Sequence, residues 1–260
     1  MLTLKLDKNL ENRIFDFKKE YDENGFIIIK NFFDKKFLRV IKKDLIFFLN
    51  TNLNNKNSIN YINIKKKIIN TAHDLKKWDH LKKIQNNKLI TGIASKILNC
   101  KLKNFGAEVF AKPAKFGLSS PAHQDNFYWN VKSNKGLTIW IALDNVNKSN
   151  GSLYYYKKSH KLGLLSHKPS YAPGSSQTIN KPNLKRLKKY KKIFTELNVG
   201  DVILHSSLVV HGSNKNPSKN NRMAFTLRYI PQNSKFNIKK KIKYEKNLIN
   251  QKKLLDNARV

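Results

Sequence analysis

Apolar residues change their spacing part-way along this chain. Residues 9–22 carry spaced apolar positions among charges and predict a helix. Gly25 then precedes Phe26-Ile27-Ile28-Ile29, a β-branched run that predicts a buried strand. Asp34 is placed to cap a helix in which Phe37, Leu38, Ile41, Leu45, Phe48 and Leu49 recur at helical spacing to about Asn50. A further helix is expected over about 87–98. Residues 51–70 are rich in Asn and Lys and predict an exposed or mobile segment. After Asn104 the spacing becomes strand-like, in runs over 104–112, 122–130, 137–146, 152–156, 193–199, 201–210 and 222–230. Turn residues punctuate them at Asn150-Gly151, Pro173-Gly174, Gly200-Asp201 and Asn216-Pro217. Residues 166–192 predict a long inserted loop of the kind that serves as a lid. The basic stretch 235–256 predicts a tail or a solvated helix. Many short strands after a helical start make the fold class mainly β with N-terminal helices, a sandwich or barrel.

Composition narrows the function classes. Lys+Arg total 52 and the formal net charge is +35, which first suggests nucleic acid. Only six of those residues are arginine, however, and nucleic-acid readers favour arginine for bidentate contacts. The excess is lysine accompanied by Asn and Ile, the residues an AT-rich coding sequence supplies, so no specific nucleic-acid partner is expected; the basic surface still favours an anionic substrate. A single cysteine, Cys100, excludes a disulfide framework and a CxxC metal site. The start of the chain lacks a signal-peptide pattern and no apolar run reaches the length of a membrane span, so a cytoplasmic protein is expected.

The chemistry lies in the β half. In an extended strand His123 and Asp125, two residues apart, project to one face and can meet one ion. A second histidine must come from a distant strand. His211 lies 86 residues beyond Asp125, and His205, six residues before it, would share its face in a regular strand. The His211-Gly212-Ser213 context and the position of Arg222 favour His211 and leave His205 as a neighbour of the site. Two histidines and one carboxylate on one face of an octahedron leave three positions open, the signature of non-haem Fe(II) oxygenases. A bidentate 2-oxo acid and then O2 would take those positions. The far carboxylate of 2-oxoglutarate needs a fixed cation, and Arg222, eleven residues after His211, opens a strand expected to return as a hairpin beside it. Ser213 is placed to add a hydroxyl.

With these residues assembled, the sequence resembles the phytanoyl-CoA dioxygenase family. The resemblance is carried by NGFIIIKNFF at 24–33, HQDNFYW at 123–129, LTIWIALDNVNKSNGSLYYYKKSH at 137–160 and GDVILHSSLVVHGSNKNPSKNNR at 200–222. It spans about residues 20–230, with gaps at 51–85 and 166–192. It implies a double-stranded β-helix (a cupin-like jelly roll) in a single domain: a helical part to about 103, the jelly roll over about 104–231, and a basic tail. It implies iron held by His123, Asp125 and His211, and 2-oxoglutarate held by Arg222 and Ser213. Trp140 matches a family position that also contacts the co-substrate, and Lys112-Pro113 matches the strand leading into the metal loop. The implied reaction is hydroxylation of an unactivated C–H bond of a small molecule, with release of succinate and CO2. Asp125 favours hydroxylation over halogenation, which generally dispenses with that carboxylate. Tyr128 and Trp129 are candidates for the substrate side, as is the face shared by Glu108, Phe110 and Lys112; His160 and His167 are expected at the surface. The alternative is a metal-binding cupin-like protein without oxygenase activity, a reading that gives Arg222 no role.

Overall fold

The structure is a computed structural model that describes residues 10, 12–51, 59–63, 68–73, 75–172 and 175–257; for 59–63, 252–253 and 255–257 it describes the backbone alone. Pro173-Gly174 lies outside the described residues. In chain order the elements are α1 (Ile14–Asn24), β1 (Phe26–Ile29), α2 (Lys35–Thr51), β2 (Ile59–Asn63), β3 (Ile68–His73), α3 (Asp79–Gln85), α4 (Lys88–Leu98), β4 (Leu102–Lys112), β5 (Ser120–His123), α5 (Asp125–Trp129), β6 (Leu137–Ala142), β7 (Leu153–Tyr156), β8 (His167–Ala172), β9 (Ser175–Ile179), α6 (Lys181–Leu187), β10 (Lys192–Phe194), β11 (Val202–Ser206), β12 (His211–Ser213), β13 (Arg222–Pro231) and α7 (Ile238–Asn257).

Among the described residues, the strands form a major sheet in the order β1-β11-β6-β13-β4-β3-β2 and a minor sheet in the order β10-β7-β12-β5, all neighbours antiparallel, with β8-β9 as a separate hairpin. This is the double-stranded β-helix, with α1–α4 packed on the outer face of the major sheet and α6 against the minor sheet.

Strand alternation decides which residues reach the interior. Leu137, Ile139 and Ile141 of β6, Phe225 and Leu227 of β13, and Ala107 and Val109 of β4 share one buried cluster with Leu38, Ile41 and Leu45 of α2 and Ile90, Ile93 and Ile97 of α4. The alternate residues face the minor sheet. On the β1–β11 side that interior is filled by Phe26, Trp140, Ile203, Tyr155 and Val209. On the β4–β13 side it stays open as a cavity of about 670 Å³, its mouth included.

Several elements differ from the sequence expectation. Within 51–70, where residues 51, 59–63 and 68–70 are described, β2 and the start of β3 extend the major sheet beside β4, in place of an exposed or mobile segment there. The 166–192 segment is the β8–β9 hairpin followed by α6, not a structureless lid. The run 122–130 is not one strand, because β5 stops at His123 and α5 begins at Asp125. The 201–210 run breaks after Ser206, and Ser206–Val210 turns the chain from the major sheet into the minor one. Arg222 therefore does not return in a hairpin beside His211. β13 lies in the major sheet and β12 in the minor, and the two side chains line one cavity from opposite walls.

Candidate functional site

The cavity between the sheets brings His123, Asp125 and His211 together. One ligand atom from each lies within 4.8 Å of the others. His123 ends β5 and pairs across the ladder with His211 of β12. Their ring centroids are 4.4 Å apart. His123 Nδ1 lies 2.7 Å from the Pro121 carbonyl and His211 Nδ1 3.1 Å from the Val209 carbonyl. A carbonyl only accepts, so each Nδ1 carries the proton and each Nε2 turns its lone pair inward. These Nε2 atoms stand 3.9 and 3.5 Å from Asp125 Oδ1. Burial lowers both imidazole pKa values, His211 to about 3, which keeps them neutral and able to ligate.

Asp125 opens α5 instead of continuing β5, yet its carboxylate still reaches the centre. Thr138 Oγ1 donates to Oδ2 at 2.7 Å, and His205 Nε2 sits 3.1 Å from the same oxygen. Tyr155 Oη completes the chain at 2.9 Å from His205 Nδ1. Because Nε2 donates to the carboxylate, Nδ1 accepts from the tyrosine. Oδ2 is thus held by the protein and Oδ1 faces the histidines. Burial pushes the Asp125 carboxyl up, but the imidazoles of His211, His205 and His123 outweigh it and hold it well below the usual carboxylate range. The three donors are the two neutral nitrogens and one anionic oxygen that a ferrous ion takes, so the residues fit the metal. His205 supports the carboxylate instead of replacing His211. Groups of this kind carry about 10–100-fold in metal affinity. His205→Ala is expected to weaken Fe(II) binding by that amount, and Tyr155→Phe by less, in a competition titration with a chromophoric chelator. Equal affinity in wild type and His205→Ala would remove His205 from the site.

A second cluster sits at the other end of the cavity. Arg222 is buried, its Nε and Nη2 donating to the Gly151 carbonyl at 3.3 and 3.0 Å, its guanidinium carbon 5.1 Å from the Trp140 ring. Its cross-strand partner is Lys112, also buried, whose Nζ donates to the Leu118 carbonyl. Burial and the Arg222 charge push Lys112 down to about 6; burial lowers Arg222 to about 10. Among the described residues neither side chain forms an ion pair, although both line the cavity beside Ser213 and Ser120. A buried guanidinium lacking an anion is costly, and the Lys112 amine beside it can take up a proton when an anion arrives, so this cradle calls for an anionic ligand such as a carboxylate. Lys112 escaped the sequence reading as a carboxylate anchor. Its signal was the alternation of Glu108, Phe110 and Lys112 on one face of β4.

Gly212 explains the His-Gly-Ser spacing. A Cβ there would lie 2.5 Å from Tyr154 Oη and 2.7 Å from the Ser120 carbonyl. A side chain would force β5, β7 and β12 apart. Gly212→Ala is expected to destabilise the fold by roughly 1–3 kcal/mol, seen as a lower melting temperature; an unchanged melt would show the strands can part freely.

The histidines expected at the surface are half-buried. His167 Nε2 accepts from the Gln124 backbone N–H at 3.1 Å, and its ring stacks on Phe127 at 4.2 Å. His160 Nε2 lies 3.1 Å from the Asp22 carbonyl. Tyr128 packs against His123 at 5.6 Å between centroids, and Trp129 lines the cavity.

Comparison with known proteins agrees with the fold. The profile of the phytanoyl-CoA dioxygenase (PhyH) family matches residues 21–224. Peroxisomal phytanoyl-CoA dioxygenase of Bos taurus is 22% identical over 233 residues, covering 83% of this chain and 68% of that protein. A phytanoyl-CoA dioxygenase domain-containing protein of Dictyostelium discoideum is 29% identical over 171 residues, covering 63% and 58%. Among solved structures, the non-haem α-ketoglutarate-dependent carbocyclase SnoK superposes with a TM-score of 0.71 at 18% identity, over 85% of each chain. The epimerase SnoN, in complex with Fe3+, α-ketoglutarate and nogalamycin RO, gives 0.69 at 17% identity, over 87% of this chain and 86% of that one. EctD from S. alaskensis, with 2-oxoglutarate and 5-hydroxyectoine, gives 0.70 at 17% identity, over 85% and 77%. At these identities the structures agree with this chain in fold.

Proposed function

The chain belongs to the phytanoyl-CoA dioxygenase family, and on that premise we propose that it is an Fe(II)- and 2-oxoglutarate-dependent dioxygenase that hydroxylates an unactivated C–H bond of a small molecule. The observation that carries this reading is the pairing of two incomplete sites in one cavity: a two-histidine, one-carboxylate donor set and a buried Arg222–Lys112 pair in want of a carboxylate. A metal-binding cupin-like protein without oxygenase activity needs only the first.

Bound iron and 2-oxoglutarate would supply O2 activation coupled to oxidative decarboxylation, the two oxygen atoms ending in succinate and in the hydroxylated product, with CO2 released. The chain's own residues do the rest. His123, Asp125 and His211 would hold the metal. Thr138 and His205 keep Asp125 Oδ2 occupied. Arg222 and Lys112 hold the distal carboxylate, with the Ser213 hydroxyl beside it and Trp140 as a wall. The flanking sheets exclude water from the reacting face. In this reading residues 1–260 act as a single domain, and the lone Cys100, unpaired, fits the cytoplasm. No helix among the described residues is long and apolar enough to cross a membrane.

The test is anaerobic addition of Fe(II) and 2-oxoglutarate to metal-free protein, followed in the visible for the metal-to-ligand charge-transfer band of a chelated 2-oxo acid. Absence of the band with intact fold would return the cupin-like alternative. Hydroxylation, as opposed to the epimerisation and carbocyclisation named for SnoN and SnoK, is checked by transfer of one atom of 18O2 into the product.

A further inference from the structure

The mechanism uses one end of the β4–β13 ladder and leaves the other without a task. Across that ladder Arg222 faces Lys112, Ala224 faces Phe110, Thr226 faces Glu108 and Arg228 faces Gly106. All the even-numbered residues of this set except Gly106 and Ala224 line the cavity. From Arg222 to Arg228 is six residues, roughly 20 Å of strand. The far end is level with Thr138, the cross-strand partner of Arg228 and the residue that holds Asp125. It therefore flanks the metal donors on the side away from the co-substrate cradle.

The chemistry of that end is unlike a lipid tunnel. Glu108 accepts from His73 Nδ1 at 2.7 Å and pairs with Arg228 Nη1 at 3.1 Å, both through Oε1. No described residue bonds its Oε2. Burial pushes the Glu108 carboxyl up, but Arg228 and His73 more than offset it and hold it below the ordinary glutamate value. The Arg228 guanidinium lies over Phe105 and Trp129, 5.4 and 5.9 Å from their centroids, and its buried Nε has no hydrogen-bond partner among the described residues. A built feature makes room for it: a Cβ on Gly106, whose φ is +143°, would stand 2.6 Å from Arg228 Nη2. Asn70, Thr71 and Thr226 add further polar groups to the same wall.

We propose that Glu108, braced by Arg228 and His73, is the substrate-recognition carboxylate of this enzyme, and that it selects a compact polar substrate presenting a hydroxyl or ammonium donor, not an aliphatic acyl thioester. This rests on the oxygenase reading above and deepens it. An alkyl chain against this wall would bury the ion pair and Oε2 with nothing in exchange for their water. A hydroxyl or ammonium group replaces that water with a charge-assisted bond, while Trp129 and Phe110 supply flat apolar area for the carbon frame. The cationic groups of this cavity are already engaged, Lys112 and Arg222 in the co-substrate cradle and Arg228 by Glu108, so the surface lysines imply no anionic preference inside it.

The test is thermal melting with Mn(II) and 2-oxoglutarate present, against a panel of free amino acids, amino alcohols and monosaccharides, and separately against palmitoyl-CoA. A panel member at about 100 times its Kd is expected to raise the melting temperature by roughly 5–10 °C. The shift should fall at least tenfold in apparent affinity in Glu108→Gln and be absent with palmitoyl-CoA. Glu108→Gln should keep the ferrous 2-oxoglutarate band, so a missing band in wild type indicts the oxygenase reading while the melt still reports on the wall. Stabilisation by palmitoyl-CoA, a panel without effect on wild type, or a shift unchanged in Glu108→Gln would each overturn the proposal.

Discussion

His211→Ala is expected to lower Fe(II) affinity by more than ~100-fold, beyond what an outer-shell partner carries, and to abolish 2-oxoglutarate turnover and the charge-transfer band together. In the proposed site the imidazole is one of three donors, and no other described side chain reaches its place. His205, the neighbour best placed to substitute, has Nε2 committed to Asp125 Oδ2 and Nδ1 to Tyr155. Loss of the ring should barely disturb the fold, because its hydrogen bond within the protein is the one to the Val209 carbonyl and β12 is held by backbone pairing on both sides. Melting of the metal-free variant, set beside an equilibrium iron titration, separates the two effects. The comparison with His205→Ala is the discriminating one. If His205→Ala lost more iron affinity than His211→Ala, the two histidines would have exchanged roles and the ligand assignment would fail.

The two histidines also show what sequence could and could not disclose. Their six-residue spacing reads as one face of one strand, but Ser206–Val210 is a turn that carries the chain from one sheet to the other. Both rings still enter the cavity, with centroids 4.7 Å apart, because the two sheets face each other. The long strands β4 and β13 were legible because both of their faces are specified: apolar residues against the helices on one, and Glu108, Lys112, Arg222 and Arg228 on the other. β2 and β3 were not, since neither carries a sustained apolar alternation and both lie in an Asn- and Lys-rich stretch of sequence. Nor was the β8–β9 hairpin, where Pro169 argues against a strand unless it lies at an edge, as it does here. Asp125 shows the limit of period-two reasoning. It begins α5, and its position at the metal depends on Thr138 and His205, which lie 13 and 80 residues away. The cradle was half legible: Arg222 by its offset from His211, Lys112 only once β4 was paired in register with β13.

Arg222→Met is expected to raise the KM for 2-oxoglutarate by at least ~30-fold, the scale of removing one partner of a buried charge pair, with the charge-transfer band returning at high co-substrate. Iron affinity without co-substrate should not change, since the guanidinium bonds Gly151 and touches no metal donor. The same cradle predicts a pH dependence whose sign follows from Lys112. Its pKa, lowered to about 6 by burial and by Arg222, leaves the amine largely neutral at pH 7–8 in the free protein. A carboxylate placed beside it favours the ammonium, so binding takes up a proton, and affinity falls as pH rises from 6 towards the higher pKa of the bound state. The co-substrate adds nothing to this slope, because carboxyls of ordinary pKa near 4 are already ionised there. Metal preloading removes any contribution from His123 and His211. Calorimetric titration at pH 7.5, in two buffers of different ionisation enthalpy, counts the protons. Wild type should take up a substantial fraction of one and Lys112→Met none. Arg222→Met should take up fewer than wild type, since without the neighbouring guanidinium Lys112 is already more protonated before the ligand arrives. Proton uptake that persists in Lys112→Met would mean that another group answers the carboxylate, and the cradle would have to be redrawn without the lysine.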